Sequence, residues 1–233
     1  MTGLDGAQLA RLLRDLHATA AAAAQRAAQS ARTYLWLRAR LRDTDVSTDR
    51  PFQDRLCTHF AMRGKLRARR SEFFAWFDSV RTGDGGGFDS VLVAVSRLTG
   101  QVEKSVASQA LALLDPQRPV IDRGVRELLP RYGFEALGEA PEFDACTAYY
   151  RRLDGLFAQA LKDPRWAPVQ QRFDAELGDA ADALHPARKL YLLLSHSRRL
   201  IALLPALQRQ PVPAVVVAAA DPAAPKARLH LCR

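Results

Sequence analysis

A chain of 233 residues with 48% hydrophobic and 25% charged side chains has the balance of a soluble globular protein, with room for one large domain or two small ones. Its 34 Lys+Arg outweigh 25 Asp+Glu, for a net charge of +9 and a pI near 10.0, which favours polyanionic partners, nucleic acid before anionic membrane. No apolar stretch approaches the roughly 20 residues of a membrane span, and the acidic start "MTGLDG" does not read as a secretory leader.

In chain order, Leu9, Leu12, Leu13 and Leu16 recur at helical spacing, followed by an Ala-rich segment and "TYLWLRARL". Residues 4–42 are therefore expected to form one or two helices. "RDTDVSTDRPFQDRL" interrupts them. Asp49 is a candidate N-cap and Pro51 suits a first turn, so a helix over about 51–62 would align Phe52, Leu56 and Phe60. "RGKLRARR" carries five basic residues in eight, Arg63, Lys65, Arg67, Arg69 and Arg70. It reads either as a phosphate-contacting strip or as a solvated face. Ser71 is the expected N-cap of "SEFFAWFDSVR", whose Phe73, Phe74, Trp76 and Phe77 fall at core spacing.

"TGDGGG" at 82–87 is a loop. Helices are expected over Phe88–Leu98 and Val102–Leu114, separated by "TGQ", the second burying Val106, Ala110, Leu111 and Leu114. Asp122 should cap the next helix, which Pro130 limits. Further helices are read at 142–162, 164–177 and 186–204, with Tyr149, Tyr150 and Trp166 in the core. From Pro205 the Pro/Val/Ala composition loses helical period; "AVVVAA" could add a short strand and the rest reads as irregular tail. The expected architecture is all-α, a single helical domain over 1–204 with a tail over 205–233, built from about eight to ten short helices.

Residues 1–70 hold 14 Lys+Arg and 6 Asp+Glu, so +8 of the +9 lies in the first third. Cys57, Cys146 and Cys232 form no CxxC pair, so neither a zinc nor an iron–sulfur cluster is expected, nor any cofactor. A reducing, cytoplasmic compartment is the simplest reading. Cys57 reads as a buried thiol and His196 as a packed or surface helix residue.

"LTGQVEKSVASQALALLDPQRPVIDRGVRELLPRYG" resembles the core of the helix-hairpin-helix DNA glycosylases. Their hairpin L-P-G-[VI]-G-x-K-[TS]-A matches Leu98, Gly100, Lys104 and Ser105, and their P-V-D-T-x-V-x-R-x-x-x-R-x-G segment matches Asp122, Val125 and Gly133. Thr99 stands at the family's Pro and Val102 at its second Gly. A second resemblance, over about 45–135, is to bacterial proteins with an F-Q-x-x-F motif, a T-G-x-x-E-x-S-x-A-S-K segment and an oxoguanine-glycosylase-like fold. Phe52, Gln53, Thr99, Gly100, Glu103, Ser105 and Ser108 fit this pattern, while Gln109 stands at its Lys.

These resemblances imply a two-lobed glycosylase-like fold with a central cleft and a DNA-binding protein that excises a damaged or modified base. Asp122 would stabilise an oxocarbenium-like sugar, Lys104 would supply a nucleophilic amine, and the amides near Gly100 would grip a phosphate beside the basic strip. Two alternatives stay open: a non-catalytic nucleic-acid-binding protein that keeps the fold, and a plain helical interaction protein. Asp122 as a helix cap is compatible with all three.

Overall fold

The computed structural model describes residues 3–83 and 86–208. Among these residues the protein is all-α, with ten α-helices, two short 3₁₀ turns and no strand. The "AVVVAA" segment lies outside the described residues.

The 4–42 stretch is one helix, α1 (Gly6–Asp43), 38 residues long, or about 57 Å at 1.5 Å per residue. Alanine is the best helix former, so the Ala-rich middle propagates the helix. Asp5 starts it with a capping box: its carboxylate accepts from the Ala7 and Gln8 amides, while the Gln8 side chain accepts from the Asp5 amide. One stripe is buried from Leu9 through Ala20, Ala24, Ala27 and Ala31 to Leu37. The small alanines let two late helices approach closely, and α9 (Trp166–Leu177) and α10 (Pro186–Gln208) pack along this spine.

Helix α2 (Arg50–His59) is capped by Asp49, whose side chain accepts from the Phe52 amide, and it buries Phe52 and Leu56, with Phe60 buried just beyond its end. It closes through a left-handed residue at Ala61 (φ 51°), with the Met62 amide donating to Cys57 O and the Ala61 amide to Thr58 O. That ring usually holds glycine, because Cβ crowds the left-handed backbone by about 1–2 kcal/mol. Ala61→Gly is expected to stabilise the protein by about 0.5–1 kcal/mol once the greater freedom of glycine in the unfolded chain is subtracted. A thermal melt checks this; an unchanged or lowered midpoint refutes it.

Helices α3 (Gly64–Ala68) and α4 (Arg70–Thr82) follow. Ser71 is not the N-cap of α4. Arg69 holds that position at φ −98°, ψ 30°, without a side-chain cap, because α3 runs into α4 through one residue and leaves no extended position for a capping side chain. Phe73, Phe74 and Phe77 are fully buried, with Phe73 and Phe74 edge-to-face at 5.3 Å, and Trp76 packs partly buried against them.

Helix α5 (Phe88–Thr99) and α6 (Lys104–Leu114) form an antiparallel pair, α6 starting two residues later than its periodicity suggested because 101–103 are spent on the turn. Val106, Ala110 and Leu111 are buried as expected, and Leu114 is partly so. Helix α7 (Arg123–Leu128) passes into a 3₁₀ turn, Leu129–Tyr132, that contains Pro130 and closes on Gly133 at φ 89°. Helix α8 (Phe143–Lys162) buries Tyr149 and Tyr150, the latter stacked on Phe88 at 3.9 Å. Trp166, at the start of α9, is buried as well.

The change of composition at Pro205 does not end α10, which continues to Gln208. A proline near a helix end removes one amide, here the donor to the Ile201 carbonyl, and the remaining turn tolerates it. One continuous apolar cluster, from Leu4 to Ile201, joins all ten helices.

Candidate functional site

The turn between α5 and α6 is held by its own side chains. Gly100 caps α5 in the left-handed conformation, φ 70°, and its amide donates to Ser96 O at 2.8 Å. Buried Thr99 accepts from the Gln101 amide at 3.2 Å, and Ser96 Oγ accepts from the Glu103 amide at 3.3 Å. Val102 needs no glycine, since Ala61 is the only non-glycine at positive φ among the described residues. Helix α6 has no side-chain cap, so the amides of its first turn keep their donor capacity toward the outside.

The basic strip divides into two parts. Arg69 pairs with Glu72 at 3.3 Å, and Arg70 pairs with Asp54 at 2.8 Å while also donating to Gln53 Oε1 at 3.1 Å. Arg63, Lys65 and Arg67 are exposed and enter no ion pair among the described residues. Arg63 and Lys65, with Ala61 and Gly64, line one side of a cleft of about 430 Å³. The other side is the turn itself, through Thr99, Gln101, Glu103 and Val106. Two segments singled out separately in the sequence thus meet across one cleft. Glu103 is the group against the grain: burial raises its carboxyl above the usual range, with Lys104 and Thr99 opposing that rise.

Asp122 stands elsewhere. Its Oδ1 accepts from the Val125 amide at 2.7 Å, the expected cap. Its Oδ2 accepts from Tyr191 Oη at 3.0 Å and Ser195 Oγ at 2.5 Å, both on α10. The carboxylate therefore fastens α7 to α10, and Gly124 beside it lies directly against the Ser195 backbone. Lys104 donates instead to the Glu139 carbonyl at 3.0 Å. Burial lowers its amine below the usual lysine range, helped by Arg126, while Glu139 and Glu103 oppose; Asp122 is not among the groups acting on it. Neither Asp122 nor Lys104 lines the cleft at the turn.

One cluster had no signal in the sequence. Arg188, in "HPARKLYLLL", looks like an ordinary surface residue of a helix, yet it is only 4% exposed. Its guanidinium lies 4.0 Å from the ring centre of Tyr34 and 4.4 Å from that of Tyr191. Its Nη2 contacts His59 Nε2 at 3.5 Å. Burial, then the Arg188 charge, pushes His59 down to about 4. His196 is lowered too, by burial first, with Asp122 opposing. Cys57 is a buried thiol raised by burial.

The chain matches no family model, no curated protein and no solved structure. Among the described residues no group of three or more His, Cys, Asp or Glu is arranged to hold a metal ion, and no helix is long and apolar enough to cross a membrane.

Proposed function

We propose that this chain is a DNA-binding protein of helix-hairpin-helix glycosylase-like architecture that holds backbone phosphate at the α5–α6 turn and does not excise bases. The observation that carries this reading is the shared cleft. Arg63 and Lys65 face the turn that carries Gly100, with Arg67 exposed on the same short helix. Lysine and arginine contacts to phosphate supply sequence-independent affinity by releasing counterions. The uncapped start of α6 adds amide donors of the same preference.

Binding is favoured over excision by the state of the two expected catalytic groups. Asp122 accepts from three donors, and the Lys104 amine is turned to the Glu139 carbonyl, away from Asp122. A general acid–base or nucleophilic group needs an open approach to substrate. The basic strip, not Asp122, is where this reading puts the DNA.

The expected result is measurable affinity for duplex or single-stranded DNA at low ionic strength, falling steeply with salt. In the triple variant Arg63→Ala, Lys65→Ala, Arg67→Ala the log–log salt slope should shrink by about 3, and affinity at low salt should fall at least about tenfold. Glu103→Gln, which removes an anion from the cleft, should raise affinity. Absence of any DNA affinity at low salt overturns the proposal. A borohydride-trapped covalent adduct, lost in Lys104→Ala, would overturn its non-catalytic half.

A further inference from the structure

Arg188 is a buried cation without an anion. None of the ion pairs among the described residues includes it, and its Nε has no hydrogen-bond partner. Unpaired charge is costly in an interior. The Tyr34 and Tyr191 faces offset part of that cost through cation–π attraction, yet they leave the guanidinium protons unmatched. Among the described residues, the one hydrogen-bonding atom it meets from another helix is His59 Nε2.

A guanidinium only donates, so the Nε2 lone pair faces it and the imidazole carries its proton on Nδ1. Among the described residues that N–H has no acceptor, and His59 lines an open cleft of about 760 Å³ between α1 and α2. Arg26 and Arg55 stand on the rim, both exposed and without a carboxylate partner among the described residues, and Arg55 lies over the Trp36 ring at 4.1 Å. Ser30 and Thr33 add hydroxyls from α1. Asp54 is the one acid of the cleft, and Arg70 already neutralises it.

We infer that this cleft is a binding site for a small phosphate-bearing anion of the monoester class, bonded to His59 Nδ1–H and balanced by Arg26, Arg55 and the buried Arg188. A monoester, which carries a second ionisable oxygen, suits the site better than a backbone diester, because Arg26, Arg55 and an imidazole line one opening, with Arg188 behind the ring. The phosphate could be carried by a free metabolite-sized molecule or by the terminal phosphate of a nucleic acid; the chemistry recognised is the same. The site uses none of the residues at the α5–α6 turn, so it stands or falls apart from the DNA-binding proposal.

The charged groups around His59 are Arg188 from α10, Arg26 from α1, and Asp54 and Arg55 from its own helix. A bound phosphate, a monoanion in the acidic range where His59 titrates, opposes the Arg188 charge that holds imidazolium formation down. Titrating His59 by NMR should therefore show its midpoint rising by about one pH unit or more when millimolar inorganic phosphate is added at low ionic strength. The chloride control should leave it in place. Arg55→Gln, a rim change that leaves the core untouched, should weaken phosphate binding several-fold, and Arg188→Met should abolish the phosphate-induced shift. No phosphate response of His59, or an equal response to chloride, overturns the inference. So does a response undiminished in Arg55→Gln, which stays informative if Arg188→Met fails to fold. Comparing a mononucleotide with oligonucleotides bearing or lacking a 5′-phosphate then assigns the source. Binding by all three alike, regardless of terminal phosphate, would refute the monoester preference.

Discussion

Gly124→Ala should lower the stability of this protein by about 1–2 kcal/mol, although the same change in an exposed helix raises stability. A Cβ at Gly124 would stand 2.6 Å from Ser195 O, 2.8 Å from Ser195 Cα and 3.0 Å from its Oγ. Two of those atoms are backbone of α10 and cannot swing aside. Helix α7 would have to retreat from α10, disturbing both Asp122 contacts across the same seam. Overpacking of this kind typically costs 1–3 kcal/mol, and the better helix propensity of alanine recovers up to about 1 kcal/mol of it. Gly155 is the internal control. It is an exposed position within α8, where a Cβ meets nothing within 4 Å. Gly155→Ala should stabilise by about 0.5–1 kcal/mol. Urea unfolding of both variants tests the pair, and equal effects would show that the α7–α10 seam yields freely.

The contrast between these two glycines also shows what the sequence conveys. Both sit in helical segments, and nothing local distinguishes "DRGVRE" from "LDGLFA". Only the long-range contact with Ser195 separates them. The helices themselves were legible because apolar spacing reports one buried face per element: Leu9, Leu12, Leu13 and Leu16 of α1, the phenylalanines of α4, and Val106, Ala110 and Leu111 of α6 are all buried as their spacing implied. Boundaries failed where neighbouring elements decide them. Ser71 lost its cap to the direct α3–α4 junction, and Pro205 was absorbed by a helix already fixed along α1.

The same division runs through the candidate sites. Asp122 as a cap is a local fact and was readable; its bonds to Tyr191 and Ser195 span most of the C-terminal half and were not. The basic strip was visible as a composition. That Arg69 and Arg70 are tied while Arg63, Lys65 and Arg67 are free depends on Glu72, Asp54 and the packing of α2. Arg188 is the extreme case. A single arginine in a helix carries no mark of burial, and only the arrival of Tyr34 and His59 from distant helices makes it unusual.

Asp122→Ala should be the most damaging of the polar substitutions, at about 3 kcal/mol. Loss of an N-cap accounts for about 1 kcal/mol. The remainder comes from Tyr191 and Ser195, whose hydroxyls lose their shared acceptor at the α7–α10 seam; each such orphaned group costs about 1–3 kcal/mol, less where it can turn to water. Tyr191 has little such freedom, since Arg188 covers its ring and burial raises its hydroxyl beyond the ordinary tyrosine range. Asp122→Asn separates the two contributions. Its Oδ1 can still cap Val125, while the amide now donates where the carboxylate accepted, and both hydroxyls must rotate to receive it. The expected loss is about 1–2 kcal/mol, between wild type and alanine. A double-mutant cycle with Tyr191→Phe should give a coupling energy of at least about 0.5 kcal/mol, as for directly bonded groups. Should Asp122→Ala instead leave stability within about 0.5 kcal/mol, as a surface substitution does, the carboxylate would not be the fastening between α7 and α10. A fold that gives up nothing on losing an acid in its interior would then point to that acid having been kept for chemistry, and the catalytic reading of Asp122 would return.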